Sequence, residues 1–142
     1  MESTVVQRLL ETGDSLLKLA ESHADENIRV VLLAAAAEAY ASAILLTSSK
    51  RRSKRVCSTS TKRLLSMALL DARRLLLLDQ EELNRLRRVL QSLRCMRNDI
   101  LHPVRCGREK CRKVDLAEAM EAVEKLRALA MNIVSKRSET KS

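Results

Sequence analysis

Between Ile28 and Leu46 only Arg29, Glu38 and Ser42 are clearly polar. Alanine and leucine supply most of the remainder, so the segment favours helix, predicted here from about Asp25 or Glu26 to Thr47. A helix that is apolar almost all round cannot lie on a surface; it has to be the buried centre of a bundle. The rest of the chain agrees. With Gly twice and Pro once in 142 residues, helix is favoured nearly everywhere. The expected fold is all-α, a four- to five-helix up-down bundle formed by residues 1–142 as a single domain.

Four amphipathic segments are expected to surround that centre. The first starts at Thr4, whose hydroxyl caps while Gln7 reaches back, and ends near His23. Its apolar face is Val6, Leu9, Leu10, Leu16, Leu17 and Ala20, with Gly13 as a close-packing point. The third helix of the chain opens in the Ser/Thr cluster before Lys62 and packs through Leu64, Leu65, Ala68, Ala72, Leu75 and Leu76. Asp79 and Glu82 form a capping box that opens the fourth after a sharp corner. Asp115 and Glu118 cap the fifth, which packs through Leu116, Met120, Val123, Leu126, Ala130 and Ile133. Residues 135–142 are expected to fray.

Charge is distributed unevenly. Residues 1–38 carry three Lys/Arg and seven Asp/Glu, a local −4, whereas residues 39–70 carry seven Lys/Arg and no acid. Residues 85–113 carry ten Lys/Arg against Asp99 and Glu109. Much of this charge lies in the 48–61 linker, at Lys50, Arg51, Arg52, Lys54 and Arg55, and around Arg94, Arg105 and Arg108. A basic surface of this kind suits a polyanion, RNA first among them. Phe and Trp are absent and Tyr40 is the one aromatic, which argues against modules that bind single strands by stacking bases on rings. No charged start followed by an apolar block marks a signal peptide. The longest unbroken apolar run, Val30 to Ala37, is too short to span a bilayer. The expected location is cytoplasmic, with no membrane partner.

The four cysteines, Cys57, Cys95, Cys106 and Cys111, allow three complete pairings. Cys106 and Cys111 could close a local disulfide loop, or join Cys95 and His102 as zinc ligands. Structural zinc sites show paired knuckles with two-to-four-residue spacers, and here there is at most one such pair. Free or disulfide-bonded cysteine is therefore preferred, with no metal and no cofactor.

Two charges fall on faces meant for apolar side chains. Leu83, Leu86, Leu90 and Leu93 step along one face of the fourth helix, and the next position on that face is Arg97. Glu38 interrupts the central helix. Buried charges persist when paired, so Glu38 and Arg97 are expected to meet; the alternative is that Glu38 points to solvent through a gap. His102 follows five residues after Arg97, and Pro103 forces the helix to end at the histidine. That leaves the imidazole free to turn toward the Arg97 face.

Arg97, the adjoining Asn98 and His102 resemble the Arg-x4-His signature of the HEPN family, small all-helical proteins. The resemblance implies a helical bundle, usually dimeric, whose paired motifs form a metal-independent ribonuclease site. It also implies, for some members, a toxin held by an antitoxin of nucleotidyltransferase fold. Members silenced by tyrosine modification carry a tyrosine two residues after the histidine, where this chain has Val104. In the implied site Arg97 clamps phosphate and His102 serves as acid or base. Asn98 or Asp99 orients the histidine or the 2′-hydroxyl. One histidine per motif motivates a homodimer with a composite site. The alternative is a non-catalytic helical module that binds RNA or protein, in which Arg97 and Glu38 are a structural ion pair and His102 caps the helix.

Overall fold

A helix of alanines and leucines runs through the middle of this protein. The computed structural model describes residues 2–48, 55–56, 59–103 and 111–140, without the side chains of residues 2–3 and 138–140. Among the described residues there is no strand, and the helices are α1 (Glu2–Ser22), α2 (Glu26–Ser48), α3 (Thr61–Arg74), α4 (Gln80–Leu101) and α5 (Leu116–Thr140). The protein is thus an all-α bundle. α2 packs against each of the other four, while α3 meets α4, and α5 meets both α4 and α1. Ala36, Ala37, Ala41 and Ala43 are buried along α2 beside Leu33, Ile44 and Leu45. Side chains that small let neighbouring axes approach to the short end of the usual range. By length and composition alone α2 could cross a bilayer, but most of its apolar window is buried in the bundle.

The expected faces point inward with few exceptions. Val6, Leu10, Leu17 and Ala20 of α1 are buried, as are Leu83, Leu86, Leu90 and Leu93 of α4 and Val123, Leu126, Ala130 and Ile133 of α5. Asp25 caps α2, accepting the Ile28 N–H at 3.0 Å. The capping box of α4 is present: Glu82 N–H donates to Asp79 Oδ1 and Asp79 N–H to Glu82 Oε1. Asp115 Oδ1 accepts the Glu118 N–H at 2.8 Å at the start of α5.

Several expectations are corrected. α1 begins at Glu2, so Thr4 is already inside the helix, and Gln7 bonds forward to Glu11 instead of back. The end of α1 is as expected, at Ser22 beside His23, whose Nδ1 accepts the Asp25 N–H at 3.1 Å. α5 does not fray at residue 135 but continues to Thr140, held by Arg137 Nη1, which donates to the Thr47 carbonyl oxygen. Within the basic linker, Arg55 and Val56 are helical and Val56 is buried. Its residues 49–54 and 57–58 lie outside the described residues.

The largest correction is at the end of α3. Leu75 and Leu76, expected on its packing face, are exposed, Leu76 at 82%. The helix stops at Arg74 because the chain turns left-handed at Leu76, with φ 61°. Leu77 N–H then donates to the Ala72 carbonyl and Leu76 N–H to that of Arg73, a Schellman cap. That cap usually takes glycine. A leucine there carries about 1–2 kcal/mol of steric cost.

Candidate functional site

The end of α4 gathers the predicted residues. Met96 and Ile100 pack against the core and fix this last turn, while Leu101, His102 and Pro103 are exposed. Following the stripe from Leu83 to Leu93, Arg97 turns toward α2 and meets Glu38. Its Nη1 donates to Glu38 Oε2 at 3.3 Å. The arginine side chain is 17% exposed and that of the glutamate 43%, so the pair lies at the edge of the core rather than inside it. Arg97 Nη2 donates to Asn98 Oδ1 at 3.2 Å. Thr61 Oγ1, from the first residue of α3, donates to the other Glu38 oxygen at 3.5 Å. Arg97 Nε is buried and has no acceptor. The guanidinium is held from two sides, by an acid across the bundle and an amide beside it.

His102 is the C-cap of α4, as proline at 103 requires. Its backbone N–H donates to the Asn98 carbonyl oxygen at 2.8 Å. Asn98 therefore serves both motif residues, taking Arg97 on its side chain and the His102 amide on its backbone. Its side chain braces the arginine. Asp99 is half-buried on the same turn.

A disulfide joins Cys95, two residues before Arg97, to Cys111, shortly before α5. It encloses Arg97, Asn98, Asp99 and His102 in one covalent loop. This pairing corrects the local Cys106–Cys111 loop and removes both sulfurs from the zinc alternative. Among the described residues no cluster of three or more His, Cys, Asp or Glu side chains could hold a metal ion. Cys57 and Cys106 lie outside the described residues.

Of the residues expected to bind RNA, Arg55 is exposed, and Arg94 is half-buried with its Nε donating to Gln91 Oε1 at 3.0 Å. Lys50, Arg51, Arg52, Lys54, Arg105 and Arg108 lie outside the described residues. The exposed Arg87 and Arg88 also stand on α4.

Sequence reasoning missed a second polar cluster, where α1, α2 and α5 meet. Tyr40 is fully buried and its hydroxyl donates to Asp14 Oδ1 at 2.6 Å. Arg127 Nε donates to the same oxygen at 2.8 Å. Burial pushes the Asp14 carboxyl up, but the bonds from Arg127 and Tyr40 together outweigh it and hold the group below its ordinary value. Burial and then the neighbouring carboxylate push Tyr40 up, well above the usual phenol range. Gly13 explains the fit, because a Cβ there would come within 2.6 Å of the tyrosine ring. A signal was present: a lone tyrosine on an apolar helix needs a partner for its hydroxyl. The cluster locks three helices together, and its phenol is shut away from solvent.

Comparisons with family models, with curated proteins and with solved structures found no match to this chain.

Proposed function

We propose that the protein is a HEPN-type, metal-independent endoribonuclease acting in the cytoplasm. The observation that carries this reading is the end of α4, where a guanidinium braced by Glu38 and Asn98 stands five residues before a solvent-exposed histidine. RNA offers its own nucleophile. A base draws the proton from the 2′-hydroxyl, the oxygen attacks phosphorus, and the bond to the 5′-oxygen breaks as an acid protonates it. The crowded phosphorane gains from fixed positive charge beside it. His102 is the proton-transfer group and Arg97 the phosphate clamp, with Asn98 and Glu38 as positioning residues and Asp99 on the same turn. Lys50, Arg51, Arg52, Lys54, Arg55, Arg94, Arg105 and Arg108 supply the electrostatic approach. Since one motif offers one histidine, two protomers facing each other would provide both acid and base. A toxin restrained by a nucleotidyltransferase-fold antitoxin is the biological setting that the resemblance implies.

The test is cleavage of single-stranded RNA in the presence of a chelator. Products should carry 2′,3′-cyclic phosphate and 5′-hydroxyl ends, and His102→Ala should lose the activity while keeping the fold. DNA, lacking the 2′-hydroxyl, should bind the same basic surface and stay intact. Cleavage of DNA, a strict metal requirement or full activity in His102→Ala would each sink the reading.

One observation favours a second reading. Arg97 already donates to Glu38 and Asn98, as a structural ion pair would. Under that reading the chain is a non-catalytic helical module that binds RNA or protein. Undiminished RNA binding by His102→Ala, with no cleavage by the parent protein, would support it.

A further inference from the structure

The end of α4 that carries the motif is the part of that helix the core holds least. Leu83, Leu86, Val89, Leu90 and Leu93 are buried, but from Arg94 to Leu101 every residue is half-buried or exposed. Ion pairs that join α4 to α5, Glu82 with Lys125 and Arg85 with Glu121, also belong to its first turns. A helix end with little buried apolar surface opens at low local cost while the rest of a fold stands. Across this end runs a covalent bond, from Cys95 to Cys111. Cys95 stands one turn before Asn98 and Asp99 on the same face of α4. Cys111 leads through Val114, which packs against the core, into α5. The bond therefore anchors the motif turn to the start of α5. Cys95 and Cys111 are both half-buried, which leaves the bond open to thiol exchange. In a reducing cytoplasm, disulfides that form are usually transient and catalytic or redox-sensing.

We propose that the Cys95–Cys111 disulfide is a redox switch on the motif. Oxidised, it holds the last turns of α4 and keeps Arg97 and His102 in working register. Reduced, it releases them, and the turn opens while the bundle stays folded. The exchange partner is a cellular dithiol. Its thiolate attacks one sulfur, the other leaves as a thiolate and takes up a proton, and the second thiol of the reductant resolves the mixed disulfide. The protein gains two thiols and the reductant becomes a disulfide. Glutathione disulfide reverses the step and is converted to two reduced glutathiones. Two features choose a switch over a structural staple. The bond lies where α4 has no buried residue, so its thiols, once parted, are not kept together by the core and close again less readily. It also encloses Arg97, Asn98, Asp99 and His102, so its state reaches the motif first. What the switch controls rests on the ribonuclease reading; the opening of the turn does not.

The experiment uses the full chain carrying Cys57→Ser and Cys106→Ser, so that one pair exchanges, equilibrated in glutathione buffers spanning the cytosolic range. Thiol alkylation and mass measurement give the bonded fraction, which should pass from mostly reduced to mostly oxidised within that range. The imidazole proton resonance of His102 should shift with that fraction. His23, at the corner between α1 and α2, should not respond, and helical dichroism should be kept throughout. Cleavage of single-stranded RNA should fall about tenfold or more on reduction, as misplacement of a catalytic group entails. Adding Cys95→Ser should reproduce the reduced behaviour in every buffer. A bond that stays closed at the reducing end of the range would be a staple and would overturn the proposal. So would an unmoved His102 resonance, loss of helical dichroism on reduction, or full cleavage by the reduced chain. Absence of cleavage in both states would instead defeat the ribonuclease reading, and the switch would then stand or fall on the histidine resonance.

Discussion

Replacing Arg97 with alanine would leave the Glu38 carboxylate with a single long bond from Thr61. Because the glutamate is 43% exposed, the loss is smaller than the roughly 3–5 kcal/mol of a broken buried pair. It should still exceed the roughly 1 kcal/mol of a solvated one, since Arg97 itself is mostly enclosed. His102→Ala, at an exposed cap, should fall within about 0.5 kcal/mol of the parent. Urea unfolding of both variants checks the contrast, and equal losses would place the imidazole in the structural framework instead. Gly13→Ala should cost about 1–3 kcal/mol by overpacking, because the ring it meets is held by Asp14 and cannot swing aside. Restoration of stability in the Gly13→Ala, Tyr40→Leu double variant would tie the loss to that ring. Glu38 with Arg97 was legible in the sequence because each charge broke an apolar face. Asp14 with Arg127 was not, since each lies where an amphipathic helix ordinarily shows polar side chains.

At the scale of elements, a boundary was legible where local chemistry writes it, as in the reciprocal Asp79 and Glu82 bonds that open α4 and the proline that closes it at His102. The start of α1, expected at Thr4, had no such mark. The end of α3 is set by a leucine in a glycine-like conformation, and no residue type at that position announces it. The inward register expected for Leu75 and Leu76 failed there for that reason. The partner of Cys111 was equally unreadable, because four cysteines carry no pairing rule. The bond found, Cys95 to Cys111, spans 16 residues and ties the last turns of α4 to the approach of α5. A loop of that size stabilises by about 3 kcal/mol in the chain-entropy account. Reduction by a dithiol should lower the urea midpoint accordingly. Amide exchange should speed up most from Met96 to Leu101 if the bond also steadies the motif. Uniform exchange along α4 would show that the α4 hydrogen bonds suffice without it.

For the whole molecule, net charge and assembly are the testable quantities. Serine at Lys50, Arg51, Arg52, Lys54 and Arg55 should flatten the salt dependence of RNA binding, by roughly 0.7–0.9 in log–log slope for each phosphate no longer neutralised. An unchanged slope would mean those charges face only solvent. Mixing inactive Arg97→Ala and His102→Ala chains should restore some cleavage if the proposed site is shared between protomers, and none if each chain acts alone. Stability should also fall at both extremes of pH. Asp14, held below its ordinary value, contributes above the unfolded carboxyl range near pH ~4 and is lost as pH drops through its lowered value. Tyr40, pushed up, contributes below about pH 10 and is lost as pH climbs toward its raised value. That phenol is the chain's one chromophore of consequence, because there is no tryptophan. Aromatic absorbance and emission therefore originate at a single ring where three helices meet. Phenolate absorbance on alkaline titration should consequently appear as one steep step, coincident with loss of helical dichroism. A gradual, independent rise would mean that the ring meets solvent while the bundle stands. Every photon of intrinsic fluorescence from this protein is a report from Tyr40.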